Sequence, residues 1–178
     1  MADQIAIGNT TIELQQGDIA AQNDLDAVVN AANAELAIGG GVAGAIHRTA
    51  GPELYEACKP MAPIKPGEAV ITPGFNLPND YVIHVLGPVY GRDKPEEQLL
   101  KNCYINGLKL ARENEIQRVG FPAISTGAFG YPLEDGAKVA LETIAEELKK
   151  HNSPELIRMV LFAQSDVEVF REILSSMQ

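Results

Sequence analysis

The stretch "DAVVNAANAELAIGGGVAGAIHRTAG", residues 26–51, carries the clearest structural signal in this chain. Its β-branched apolar run, 26–32, predicts a buried strand, and 42–50 predicts a short helix. Three consecutive glycines stand between them, although glycine disfavours both elements. Glycine-rich backbone at a helix N-terminus offers free N–H donors and close approach, which suits a phosphate. The stretch predicts either an anion-binding loop or a flexible surface turn.

Strand and helix patterns alternate along the rest of the chain. Strands are predicted at 4–7, 10–16, 68–74, 81–87, 118–124 and 156–163, and helices at 52–59, 95–114, 133–150 and 167–177. This alternation favours an α/β fold, a three-layer α/β/α sandwich with a mixed, largely parallel central sheet. The length of 178 residues fits one domain, 1–178.

The composition excludes several classes of function. The formal net charge of −10 argues against non-specific binding to nucleic acid or to anionic membrane. No signal-peptide pattern and no long apolar window is present, so we expect a cytoplasmic protein that does not span a membrane. We also expect a monomer. Cys58 and Cys103 are isolated and predicted to be packing residues, without zinc spacing. We expect neither a metal nor a cofactor.

The glycines also match G-x-G-x-x-G at Gly39, Gly41 and Gly44. A dinucleotide fingerprint follows its strand at once, whereas several residues intervene here, and no Gly-Lys-Ser/Thr of a P-loop follows. The glycines therefore match neither the dinucleotide fingerprint nor the P-loop, and they indicate only a backbone that suits a phosphate.

Ligands of open α/β sheets bind at the carboxyl ends of the strands. Four segments follow predicted strand ends there: "QGDIA", "NAANAELAIGGGVAG", "PAISTGAFGYP" and "FAQSD". The segment "PAISTGAFGYP" repeats the glycine-rich pattern, and it could hold a diphosphate from the side opposite the three glycines. Asn33 is a polar amide in an apolar run, which favours binding to backbone or ligand. Asp18 is either an amine acceptor or an ordinary turn residue, and Phe162 either stacks on a base or packs in the core.

Several stretches together resemble the macrodomain family of ADP-ribose-binding modules. They are "GDIAAQNDLDAVVNAAN", "GGGVAGAIHRTAGPEL", "GEAVITPGFNLP", "YVIHVLGPVYG" and "FPAISTGAFGYP", in family order along nearly the whole chain. The chain is most similar to the MacroD-like and related bacterial or viral branches. The resemblance implies a mixed sheet between helices and a cleft for ADP-ribose.

The resemblance also implies a role for each site residue. Asp18 would bind the adenine amino group, with the Ile19 backbone beside it, and Phe162 would stack on the adenine. Asn33 would bind the distal ribose hydroxyls and serve in catalysis, and Phe129 would pack beneath that ribose. Main-chain N–H groups would wrap the diphosphate and distal ribose at Gly39, Gly40, Gly41, Val42, Ser125, Thr126, Gly127, Ala128 and Phe129.

One position departs from the MacroD-like pattern. Those hydrolases have "GGGVDG", with an aspartate proposed to activate water, whereas Ala43 stands there in this chain. Either the chain hydrolyses ADP-ribosylated protein or O-acetyl-ADP-ribose with a water held by the ligand's phosphate and Asn33, or it reads ADP-ribose without catalysis. A nucleotide-binding protein of unrelated chemistry is a further alternative. His47 and His84 are other titratable candidates, for which structural roles are favoured.

Overall fold

A computed structural model describes residues 3–178 and contains seven strands and five α-helices within them. The strands are β1 (Gln4–Ile7), β2 (Thr10–Gln16), β3 (Ala27–Ala31), β4 (Ala69–Pro73), β5 (Tyr81–Val85), β6 (Arg118–Phe121) and β7 (Leu156–Leu161). The helices are α1 (Gly41–Ala50), α2 (Pro52–Cys58), α3 (Glu96–Glu113), α4 (Leu133–Lys150) and α5 (Gln164–Ser176). Short 3-10 turns occupy Ile19–Ala21 and Lys59–Met61.

All strands form one sheet in the order β1-β2-β7-β6-β3-β5-β4. The five central strands are parallel, and β1 and β4 pair antiparallel at the two edges. The predicted mixed, largely parallel sheet is therefore confirmed. Because parallel strands point the same way, the carboxyl ends of β2, β7, β6, β3 and β5 lie side by side at one edge of the sheet.

Helices cover both faces of the sheet, which confirms the three-layer sandwich. Successive strand residues point to opposite faces. Ala27 and Val29 join the core beneath α3, α4 and α5, whereas Val28 joins the core beneath α1 and α2. Both cores are apolar, which explains the nearly continuous apolar sequence of β3.

The predicted ends of several elements were wrong by a few residues. The strand predicted at 118–124 ends at Phe121, because Pro122 has no N–H for the ladder, although Ile124 beyond it is only 1% exposed. Burial of Ile124 in the core beneath α3, α4 and α5, not strand pairing, explains that apolar run. Helix α5 begins at Gln164 rather than 167, because its first turn is polar and carries no apolar signal. No helix within residues 3–178 combines the length and apolarity needed to cross a bilayer.

Candidate functional site

The four segments predicted to bind a ligand follow four neighbouring strands. In sheet order they follow β2, β7, β6 and β3, so the fold places all of them along the same edge of the sheet. We call residues 33–43 the glycine loop and residues 122–132 the second loop. These two loops follow β3 and β6, which are adjacent strands.

The glycine loop presents a run of unpaired backbone donors. Among residues 3–178, no acceptor is within hydrogen-bond reach of any backbone N–H from Ile38 to Ala43. The first bond of α1 is donated by the Gly44 N–H to the Gly40 carbonyl at 3.2 Å. The positive end of the α1 dipole adds to these donors, so this segment favours an anion.

Two of the glycines are required by the fold, and one is not. A Cβ added at Gly44 would lie 2.5 Å from the Gly39 carbonyl oxygen, and Gly41 has a φ of +55°. Gly40 has a φ of −92°, which any residue adopts, and a Cβ there would meet nothing within 4 Å. The lack of a side chain at Gly40 therefore keeps open space beside the free N–H groups.

The Asn33 side chain fixes the shape of the glycine loop. Its Nδ2 donates to the Ala37 carbonyl at 3.0 Å, and its Oδ1 accepts from the Ala37 N–H at 2.9 Å. A Cβ added at Gly39 would lie 3.2 Å from Asn33 Nδ2 and 3.7 Å from the Ala43 Cβ. Asn33, Gly39 and Ala43 therefore lie together, and Ala43 is only 5% exposed.

The second loop supplies further free donors on the neighbouring strand. Within the described part of the chain, the backbone N–H groups of Ser125, Gly127, Ala128 and Phe129 have no acceptor. Ser125 has a φ of +68°, and its hydroxyl donates to the Pro88 carbonyl at 2.8 Å. The Thr126 N–H instead bonds to the Ala123 carbonyl at 3.3 Å.

The two loops pack against the same apolar core. Phe129 of the second loop and Val42 of the glycine loop are both partly buried, and both pack against the core beneath α1 and α2. The expected arrangement of two N–H-rich loops around one space is consistent with this shared core.

The loop after β5, residues 86–95, is a component that the sequence interpretation missed. The Tyr90 N–H donates to the Phe129 carbonyl at 2.9 Å, so this loop supports the second loop. A Cβ at Gly87 would collide with the Ser125 hydroxyl oxygen. The strand predicted at 81–87 also ends at this edge of the sheet. The position of the loop directly after it could therefore have identified the loop as part of the site.

The Asp18 turn and Phe162 lie together at the other end of the site. The Gly17 N–H donates to the Leu161 carbonyl at 2.9 Å, which joins the ends of β2 and β7. Asp18 caps the 3-10 turn by accepting from the Ala20 N–H at 2.9 Å, and Ile19 is buried. Phe162 is 90% exposed, so the core-packing alternative for this ring is wrong.

A buried arginine positions the Asp18 turn. Arg158 of β7 donates to Gln22 Oε1 at 2.9 Å, and Gln22 Nε2 donates to the Asp18 carbonyl at 3.0 Å. Arg158 also donates to both carboxylate oxygens of Asp24 at 2.8 Å. This hydrogen-bonded guanidinium holds the pKa of Asp24 well below its ordinary value.

The two histidines are buried in the interior of the protein. Asn30 Nδ2 donates to His84 Nδ1 at 3.0 Å, and His84 Nε2 lies 3.0 Å from the Thr72 hydroxyl. Burial lowers the pKa of His84 to about 3, so the ring is neutral and structural. Burial also lowers the pKa of His47, whose ring nitrogens have no partner among the described residues.

The cysteines are packing residues, as predicted. Cys58 and Cys103 are both fully buried. Burial raises the pKa of the Cys58 thiol to about 11 and that of the Cys103 thiol to about 12. Because the thiolate is the nucleophile, neither side chain suits nucleophilic catalysis at neutral pH.

Backbone dipoles, rather than charged side chains, dominate the two loops. Residues 33–43 and 122–132 contain no lysine or arginine. Across residues 3–178, no three His, Cys, Asp or Glu side chains group as metal ligands would. The arrangement can therefore bind a phosphate through N–H groups and hold a ring beside Phe162.

Comparison with known proteins identifies the family. The model of the Macro domain family matches residues 29–140, from within β3 to within α4. The chain belongs to the macro domain family. An O-acetyl-ADP-ribose deacetylase of Citrobacter koseri is 46% identical to this macrodomain over 169 residues, 92% of this chain and 95% of that protein.

Solved structures agree with this macrodomain along almost its whole length. The Oceanobacillus iheyensis macrodomain with ADP has a TM-score of 0.93 and 39% identity, covering 98% of this chain and 95% of that chain. The Trypanosoma brucei macrodomain in complex with ADP-ribose has a TM-score of 0.83 and 36% identity, covering 90% of this chain and 68% of that chain.

Proposed function

We propose that this macrodomain binds ADP-ribose and hydrolyses ADP-ribosyl adducts. The row of free N–H groups from Ile38 to Ala43, beside those of the second loop, is the observation that carries the proposal. The similarity to a named O-acetyl-ADP-ribose deacetylase and to macrodomains solved with ADP and ADP-ribose supports it.

The order of the strands suits an extended ligand. From β2 to β3 the sheet crosses three strand spacings of about 4.8 Å each, about 14 Å in all. This distance is of the order of the length of an extended nucleoside diphosphate sugar. The adenine then lies at the β2 and β7 end, and the diphosphate and distal ribose lie at the β6 and β3 end.

Each residue of the cleft has a proposed role. The second oxygen of Asp18 accepts from the adenine amino group beside the Ile19 backbone, and Phe162 stacks on the ring. Asn33 donates its second amide hydrogen to the distal ribose, under which Phe129 packs. The diphosphate accepts from the backbone of the loops at Gly39, Gly40, Gly41, Val42, Ser125, Thr126, Gly127, Ala128 and Phe129. At Thr126 this contact would replace the bond to the Ala123 carbonyl.

The proposed hydrolysis uses a water held by the ligand's own phosphate and Asn33. In O-acetyl-ADP-ribose the water oxygen bonds to the acetyl carbon, the bond from that carbon to the ribose oxygen breaks, and the ribose oxygen takes a proton. Acetate and ADP-ribose are the products. Protein adducts on carboxylates are the second proposed substrate, with attack at the ester carbonyl or the anomeric carbon.

The side chain at position 43 favours a second candidate function. Ala43 provides no general base, and loss of such a base typically lowers a rate by about 10²- to 10⁴-fold. A reader that binds ADP-ribose without turning it over is therefore the alternative.

Two measurements on one preparation distinguish these functions. Calorimetric titration with ADP-ribose tests binding, and release of acetate from O-acetyl-ADP-ribose and of ADP-ribose from modified glutamate tests hydrolysis. We expect binding and slow release, with Asn33→Ala lowering the release. Binding with release no faster than the no-enzyme rate would leave only the reader, and absence of binding would refute both functions.

A further inference from the structure

A groove of about 420 Å³ lies between α3 and α4, outside the cleft described above. Two tyrosines and four carboxylates dominate its lining: Tyr90, Tyr131, Glu97, Asp135, Glu142 and Glu146. None of these side chains has a role in the proposed binding of ADP-ribose.

The groove is continuous with the second loop. The Tyr90 N–H donates to the Phe129 carbonyl, and the Tyr131 N–H donates to the Ser125 carbonyl, both at 2.9 Å. A Cβ added at Gly136 in the first turn of α4 would lie 2.7 Å from the Thr126 methyl group. The groove therefore begins within a few residues of the loop proposed to hold the distal ribose, which is the ribose that carries the adduct.

One buried hydroxyl in the groove lining lacks a partner. Thr143 is 3% exposed, and within the described residues its hydroxyl forms no hydrogen bond to another group. Buried polar groups are normally satisfied, so this hydroxyl is left for a polar ligand or for water.

The groove is electronegative. Its four carboxylates outnumber the two ammonium groups of Lys101 and Lys138. Among residues 3–178, none of these six charged side chains forms an ion pair. Burial, and next the carboxylate of Glu97, raises the pKa of Tyr131.

The aromatic rings favour a cation in the same place. Tyr90 is 45% exposed and packs edge-on to Tyr131, with ring centroids 5.0 Å apart. Guanidinium and ammonium groups bind to exposed aromatic faces and to carboxylates, and each such contact is modest alone. Unpaired carboxylates, aromatic rings and the unpaired Thr143 hydroxyl together match an arginine- or lysine-rich chain.

We propose that the groove binds a basic segment flanking the modified residue of an ADP-ribosylated protein. This inference rests on the proposed function for its placement, because ADP-ribose in the cleft brings the attached chain to the second loop. The groove then selects among ADP-ribosylated proteins, whereas O-acetyl-ADP-ribose carries no segment that reaches it.

Charge reversal on α4 tests the proposal. Glu142→Lys with Glu146→Lys reverses two exposed carboxylates one turn apart. Glu168→Lys with Glu172→Lys is the matched control, because it reverses two exposed carboxylates at the same spacing on α5 and changes the net charge equally. The probes are a fluorescent peptide ADP-ribosylated on glutamate with arginine-rich flanks, the same peptide with serine flanks, the unmodified arginine-rich peptide and free ADP-ribose.

We expect the wild-type chain to bind the modified arginine-rich peptide at least about fivefold more tightly than the serine peptide, with the preference declining as salt rises. The α4 double variant should remove this preference and keep its affinity for free ADP-ribose, and the α5 variant should retain both. Equal wild-type affinity for the two modified peptides, or equal losses in the two variants, would overturn the proposal.

Failure of the proposed function gives a different result. If free ADP-ribose does not bind, the unmodified arginine-rich peptide still tests the groove through the same pair of variants. Loss of its binding only in the α4 variant would support the groove as a basic-segment site. Equal binding by both variants would refute it.

Discussion

Gly40→Glu should weaken ADP-ribose binding by about 100-fold or more without unfolding the protein. The φ of −92° and the open space around a Cβ at this position allow a side chain without strain. Gly40 is the N-cap of α1, and a poorer cap typically costs about 1 kcal/mol of unfolding free energy. A carboxylate about 5 Å from one phosphate charge, at an effective dielectric constant of about 20, opposes binding by about 3 kcal/mol. This energy corresponds to a loss of about 100-fold or more in Kd.

Gly40→Gln is the matched control, because it adds nearly the same volume without the charge. Calorimetric titration should give a Kd about 100-fold weaker for the glutamate variant than for the glutamine variant, and urea unfolding should give both nearly the same stability. If the glutamate variant bound ADP-ribose as tightly as the wild type, the placement of the diphosphate at the glycine loop would be wrong. Equal weakening in both variants would show that bulk, not charge repulsion, is responsible.

Three further predictions address catalysis, adenine binding and stability. Ala43→Asp should raise turnover of O-acetyl-ADP-ribose more than affinity, because it supplies a general base, and Ala43→Asn should not. Equal turnover in the wild type and both variants would show that this side chain does not limit the reaction. Phe162→Ala should weaken ADP-ribose binding by about 1–3 kcal/mol with little change in urea unfolding, because the ring is 90% exposed; unchanged affinity would contradict stacking. Lowering the pH from 7 to 5 should lower the free energy of unfolding by about 2 kcal/mol through His84. In the unfolded chain this histidine binds a proton below about pH 6.5, whereas in the folded protein, with a pKa of about 3, the ring stays neutral. His84→Gln should reduce this loss in urea titrations, and an equal loss in the variant would argue against the buried neutral ring.

Local patterns were sufficient for the order and type of the elements. The apolar run before Asn30 and the glycines after Asn33 predicted a buried strand followed by a helix, and both are present as β3 and α1. The ends of some elements were wrong by a few residues, because an apolar run shows burial without showing what covers it. Ile124 is such a case: it lies in the second loop and is buried in the core beneath α3, α4 and α5 rather than paired in β6.

The sequence-based interpretation was weaker for side chains with two plausible environments. Phe162 suited either a core or an adenine platform, and only its position just beyond β7 leaves it in solvent. The sequence does not distinguish the role of Gly44 from that of Gly40. In the fold, the Gly39 carbonyl oxygen lies against Gly44, whereas Gly40 faces open space.

Short stretches of neighbouring residues were enough to predict the alternation of strands and helices, to recognise the family, and to show that the two loops lack basic residues. The same stretches do not show which strands are neighbours, and it is the strand order that brings Asp18, Phe162, the second loop and the glycine loop to one edge of the sheet. The packing of the helices likewise places the groove beside Tyr90 next to this edge. Strand order and helix packing depend on contacts between residues far apart in the chain, which no local periodicity records.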